Sequence, residues 1–279
     1  MLRISIVALA ATALAGCVIV ANVDSGAWWG NWHEESHQLT NVDSVEFDAR
    51  GTLYIVQGSN NDLRLEGHEQ ALQHMEVYER DGVLIVNQVN DEFRWWGVQE
   101  RGREVVFYLE MENLTSIKHR GHGEINVGPF TVHSLDVESR DHAETNFSSI
   151  NARRLEIRVS EHANINIETL DSDSVHLVVI DHADLYAHDV NSLDMDVRVE
   201  DHGEAWLAGK SDSITIRAKD HGDVDADRLQ SAVVEVRASD HAKVTLMAEE
   251  TIYIARKDHA EVIWQGSAEV DEEQAISQQ

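Results

Sequence analysis

The chain has 279 residues, and its 51 Asp and Glu against 22 Lys and Arg give a formal net charge of −29. A surface this acidic argues against nucleic acid as a partner, because phosphate binding needs a basic face. A single cysteine excludes an internal disulfide, and a single proline excludes a proline-rich stalk.

Met1–Cys17 has the form of a secretory leader. Arg3 supplies a positive start, Ile4–Ala13 is an apolar run too short to span a bilayer, and Leu14-Ala15-Gly16-Cys17 closes it. The closing residues resemble the lipobox of bacterial lipoproteins, which implies that Cys17 is acylated and becomes the mature N-terminus. Val18 rather than Asp follows the cysteine, which in Gram-negative lipoproteins points to the outer membrane. The expected location is therefore the cell envelope, lipid-anchored at the outer membrane on its periplasmic or surface side.

Residues 18–42 read as a tether. They show no sustained period, and Trp28, Trp29 and Trp32 sit beside His33 and His37. On a helix those two histidines would form an i, i+4 metal pair, but a polar tether with tryptophans near the membrane is the reading preferred here. Strands follow from Ser44 to Met111. Glu76–Tyr78 and Val83–Val86 are joined through Asp81-Gly82, a strong hairpin signal. Asp91–Arg103, with Trp95 and Trp96, reads as an excursion loop.

A tetrapeptide then recurs to the end of the chain, for example Gly121–Glu124, Asp141–Glu144, Asp181–Asp184 and Asp201–Glu204. Its histidines, His122, His142, His162, His182, His202, His221, His241 and His259, lie 20, 20, 20, 20, 19, 20 and 18 residues apart. A fixed period of this length marks a solenoid whose coils bury their apolar faces by stacking. Five residues before each histidine the position is always aliphatic (Ile117, Val137, Ile157, Leu177, Val197, Ile216, Val236, Ile254). Positions seven before, three after and five after are mostly apolar too, so two strands of period 2 flank each histidine. A third apolar point, at Phe130, Ile150, Leu170, Val190 and Leu229, lies eight after it. The sequence thus predicts an all-β, right-handed parallel β-helix with coils of about 20 residues, spanning 43–266 and followed by a polar tail, 267–279.

The same parity points each histidine outward and the Gly or Ala after it inward, where a larger side chain would collide with the next coil. Basic residues four before (Lys118, Arg158, Arg198, Arg217, Arg237) and acids six before (Asp136, Glu156, Asp196, Glu235) form outward columns on a solvated face.

Phe47–Val86 resembles the opening of the GIN domain, the head domain assigned to auto-transporter adhesins, and Val105–Val127 is similar to that family's transition into its repeats. The resemblance covers Asp43 to Trp264. It implies an envelope-exposed β-helical lipoprotein without assigned catalytic residues. This chain departs from the family at the corner, where histidine stands in place of the usual serine or glycine.

Seven of the eight histidines follow an acid: Asp141, Glu161, Asp181, Asp201, Asp220, Asp240 and Asp258. Imidazole and carboxylate suit Zn²⁺, Cu²⁺ or Ni²⁺, so the eight histidines with the six Asp residues make a rack of candidate divalent-metal ligands. Against this, a straight ladder does not surround one point with four ligands, and Arg120, Arg140, Lys219 and Lys257 lie beside the row. A structural, solvent-facing column of stacked imidazoles held by the neighbouring carboxylates is the favoured reading. Enzymatic cleavage of polysaccharide is the other alternative, through paired carboxylates such as Glu200 and Asp201. An active site, however, is a singular constellation, and here no coil differs in chemistry from the rest. The sequence therefore points to a non-catalytic, lipid-anchored β-helix with an adhesin-like or scaffolding role and no certain cofactor. Its partners would be the membrane, through the lipid, and a glycan, a matrix component or an envelope protein.

Overall fold

The structure, a computed structural model, describes residues 17–21, 31–89 and 105–273. The leader before Cys17, the loop at Asp91–Arg103 and the pair Trp28-Trp29 lie outside the described residues. The first described strands are β1 (Cys17–Ala21), β2 (Trp32–Gln38), β3 (Ser44–Asp48), β4 (Thr52–Gln57) and β5 (Asp62–His68). After the short helix α1 (Glu69–Leu72) come β6 (Met75–Arg80), β7 (Val83–Gln88), β8 (Val106–Met111), β9 (Ser116–Arg120) and β10 (Glu124–Val127). The repeats continue as β11 (Phe130–Ser139), β12 (Glu144–Phe147), β13 (Ile150–Val159), β14 (Asn164–Val179) and β15 (Asp184–Val199). They end with β16 (Glu204–Ala218), β17 (Asp223–Ala238), β18 (Lys243–Arg256), β19 (Glu261–Gln265) and β20 (Glu269–Glu273).

From β9 onward every pairing is parallel, and each strand's partner further along the chain lies about 20 residues on: Ile157 faces Leu177, and Leu177 faces Val197. The fold is a parallel β-helix of about eight turns. The aliphatic column five before each histidine is fully enclosed through seven coils and 5% exposed at Ile254. The columns three and five after it are enclosed as well, except at Val262 and Trp264, which pack against the core only in part. Since each coil buries its inward side chains against the coils above and below, the core is one continuous column.

The third side of each coil is more regular than the apolar pattern shows. Two residues past Leu170, Val190, Gly209 and Leu229, the buried positions are Ser172, Ser192, Ser211 and Ser231. Three of these serines bond internally: Ser172 to the Ser174 carbonyl (3.1 Å), Ser192 to the Ser211 hydroxyl (2.9 Å) and Ser211 to the Ser213 carbonyl (2.7 Å). The coil that is one residue short is accommodated where Gly209, at φ +127°, lies against Val190, with a register shift between Ala187 and Val190.

The N-terminal part departs from the repeat. β3 and β4 join the parallel stack through β9 and β10, but β5 runs antiparallel to both β2 and β8. β6 and β7 form the expected hairpin, with positive φ at both Asp81 and Gly82. Trp32–Gln38, inside the stretch read as a tether, is a strand paired with β5, and β1 pairs with it in turn. His33 and His37 therefore lie on a strand, not on a helix. Glu269–Glu273, in the expected polar tail, is likewise a strand, parallel to β18.

Candidate functional site: the histidine corner

Each histidine sits in a tight turn between two strands. The residue before it adopts a left-handed conformation, with φ between 59° and 68° at the seven acids and +83° at Gly121. Asp tolerates this region better than most residues because its short polar side chain bonds locally; Gly does so because it has no Cβ. The corner backbone is tied from coil to coil: the N–H of His162, His182, His202, His221, His241 and His259 donates to the left-handed residue of the preceding corner at 2.8–2.9 Å. The Asp before six of the histidines and the Gly before His122 are thus accounted for by backbone geometry, a cause the sequence reading did not identify.

The position after the histidine is closed. A Cβ added to Gly203 would lie 2.8 Å from the Val179 carbonyl oxygen, and one added to Gly222 would lie 2.6 Å from that of Val199. Ala143, Ala163, Ala183 and Ala242 fill the same place with at most 1% exposure.

The histidines themselves point outward and are exposed. Their rings stack in seven consecutive pairs, with centroids 4.7–5.3 Å apart and planes within 4–12° of parallel. This is a column of parallel imidazoles from His122 to His259. Parallel, registered rings place equivalent nitrogens about as far apart as the centroids. One ion between two imidazoles requires a separation of at most ~4.2 Å, twice a Zn–N bond. Neighbouring rings of one chain therefore do not share an ion. Among the described residues no group of three or more His, Cys, Asp or Glu is arranged to hold a metal. The histidines are brought together, but not into the converging ligand set that the metal reading requires.

Carboxylates crowd both sides of the row. The Asp141 carboxyl accepts from the Gly121 N–H at 3.2 Å. Burial by itself would raise its pKa, but that hydrogen bond, one with Glu161, and the Arg140 and His122 charges outweigh it and lower the pKa. Glu161 is pushed up, first by its hydrogen bond to Asp141 and then by partial desolvation. Two residues after the histidines, Asp184, Glu204 and Asp223 are all raised, chiefly by burial, with neighbouring carboxylates adding to the effect at Glu204 and Asp223.

A second histidine population has the opposite environment. His119, three residues before His122, is fully buried, and its pKa is lowered to about 3 by desolvation. Its Nδ1 lies 2.9 Å from the Thr145 hydroxyl, while its Nε2 is buried without a hydrogen-bond partner.

The chain matches the family described as "Putative auto-transporter adhesin, head GIN domain" over residues 41–169 and 156–268. The chain belongs to this family. Three solved structures share its fold. A "putative lipid binding protein" of Parabacteroides distasonis is 13% identical, with a TM-score of 0.62, covering 87% of this chain and 93% of its own. A "putative adhesin" of the same species is 12% identical, with a TM-score of 0.57 and coverage of 87% and 98%. A "putative adhesin" of Parabacteroides merdae is 14% identical, with a TM-score of 0.54 and coverage of 88% and 98%. Identities this low carry the fold alone. Among curated proteins none matches the chain. No helix among the described residues is long and apolar enough to cross a membrane.

Proposed function

We propose that this GIN-domain protein is a non-catalytic, adhesin-like component of the cell envelope, held at the outer membrane by acylation of Cys17. The rigid β-helix presents its long faces to a glycan, a matrix component or another envelope protein. The observation that carries this reading is the uniformity of the outward surface: the acid-histidine-small corner recurs from coil to coil, as a presented surface requires and a single active site does not. Family membership supports the adhesin role. The lipobox supports the anchor, since acyl chains supply membrane affinity that a β-helix with a solvated exterior lacks.

Two measurements test it. Cys17→Ser should move the protein from the membrane pellet to the soluble fraction; retention in the pellet with unchanged mobility removes the anchor. Cells displaying the protein should attach to an immobilised glycan or matrix component better than cells lacking it. Equal attachment across such a panel removes the adhesin role.

A further inference from the structure

Two of the three corner positions are dictated by the backbone. The first must be left-handed, and the third has no room beyond a methyl group. The middle position is free of both demands, because its side chain is exposed, and yet it is histidine in all eight coils. No hydrogen bond or ion pair joins a ring nitrogen of the row to another described residue, and the rings stack on one another. A line of eight exposed, unbonded nitrogen donors is left pointing away from the coil stack.

We propose that this row is an intermolecular metal site. Two copies lie side by side with their histidine rows facing, and divalent ions of the Zn²⁺, Cu²⁺ or Ni²⁺ class are held between them. Each ion takes one imidazole nitrogen from each copy, and water completes its four ligands. The ring spacing that prevents neighbours of one chain from sharing an ion places no limit on rings approaching from opposite sides. A second copy is the partner whose donors repeat at the same interval, so one alignment brings many pairs into register together. Charge supports the same occupant: two chains of −29 repel each other, and cations seated between them offset that repulsion where the surfaces meet.

The flanking residues locate the preferred rungs. Two residues before the histidine, four of the five outer coils carry cations (Arg120, Arg140, Lys219 and Lys257; the His241 coil has Ser239), whereas the central coils carry Ser160, Ile180 and Glu200. Acids precede the histidines at the centre (Glu161, Asp181, Asp201) and toward the ends (Asp141, Asp220, Asp240, Asp258) alike, so the cations make the difference. Metal should therefore enter at His162, His182 and His202. Ions at adjacent rungs repel one another, so alternate rungs fill first and saturation lies near about four ions per pair.

The proposal does not depend on the adhesin reading, and the test keeps the two apart. Full-length chain carrying Cys17→Ser, purified without an affinity tag and stripped with chelator, is followed by sedimentation as Zn²⁺ is added; bound metal is measured in parallel. The mass should double at micromolar Zn²⁺ and return to the monomer with chelator. Mg²⁺ at the same concentration should leave the monomer, since a hard cation prefers oxygen ligands. The triple variant His162→Gln/His182→Gln/His202→Gln should need at least tenfold more zinc to pair, whereas His122→Gln/His259→Gln should shift the requirement less than threefold. Circular dichroism and melting confirm that both variants remain folded. Zinc bound to a monomer, pairing by Mg²⁺ at the same concentration, or unchanged pairing of the triple variant would each overturn the proposal.

Discussion

From Phe130 to Arg256 each strand pairs in parallel with the strand about one coil further on, whereas between Trp32 and Gln88 four strands, β2, β5, β6 and β7, take an antiparallel neighbour. The contrast lies in what each region does for the core. A middle coil is sealed by identical coils on both sides, so repetition suffices. The first end has no coil before it. There β2, β5 and α1 leave the repeat and bury Leu63, Leu65 and Leu72. At the other end β19 and β20 keep the parallel order, and Val270, in register with the buried Ile252, remains 45% exposed. Sealing the first end takes strands that break the repeat's rule; continuing the repeat takes only the next copy.

The largest expected effect falls in the repeated region. Leu177 is fully enclosed between Ile157 and Val197, so Leu177→Asp places a carboxylate between two filled coils and should cost at least about 4 kcal/mol. Arg198 is exposed and pairs with Glu200 at 2.8 Å, so Arg198→Ala should cost under about 1 kcal/mol. Urea melts of the two variants settle the assignment of inside and outside. Similar losses would contradict it.

The same contrast governs what could be read in advance. The coil core was legible because one residue's environment is restated every 20 positions, so the columns of Ile157, Leu177 and Val197 declare themselves without any knowledge of pairing. The Asp81-Gly82 hairpin was legible because its signal is local. The pairing of β2 with β5 was not, since it joins segments about 30 residues apart whose sequences carry no shared mark, and Trp32–Gln38 looked like a tether. At the corner the histidine row was evident, but the acid beside it was taken for a partner of the imidazole. A preference for positive φ and a charge partner leave the same letter in a sequence. The buried serine column escaped because a lone serine in a polar stretch reads as loop, although three of its four hydroxyls are bonded inside the coil.

Gly209 sharpens the comparison within the repeats, because it marks where the period falls to 19. A Cβ there would lie 2.2 Å from the Val190 carbonyl oxygen, and its φ of +127° is one that side chains rarely adopt. Gly209→Ala should lose about 2–4 kcal/mol in the same melts. A loss below 1 kcal/mol would mean that the short coil relaxes elsewhere.

At the inward position three before the histidine the first two coils are polar, with His119 and Ser139, while Val159, Val179 and Val199 occupy that place in later coils. The folded pKa of His119, about 3, lies below the ordinary 6.5. As the pH falls through 6.5 the unfolded chain takes up a proton that the folded chain refuses, so this group's contribution to stability is lost between pH 6.5 and 3. The slope approaches ~1.4 kcal/mol per pH unit. His119→Val/Thr145→Val removes the buried imidazole together with its hydroxyl partner. Relative to the parent protein it should gain roughly 2 kcal/mol on going from pH 7 to pH 4.5. Parallel stability curves for the two proteins would show that His119 is protonated in the fold.

The smallest effects are expected at the corner, and there the order matters more than the size. Asp181 is held at φ +64°, so Asp181→Gly should be nearly neutral or slightly stabilising, while Asp181→Val should cost about 1–2 kcal/mol. If the carboxylate were there to partner His182, glycine would be as harmful as valine. His182 stacks on His162 and His202 at 5.3 and 4.9 Å but is exposed, so His182→Gln should cost only a few tenths of a kcal/mol. Melting of these three variants at neutral pH, without metal, ranks them directly. A loss at His182→Gln larger than at Asp181→Val would make the row a structural brace, and the need for histidine at every corner would then lie inside the fold. The expected ranking places that need outside it, in what the exposed nitrogens meet.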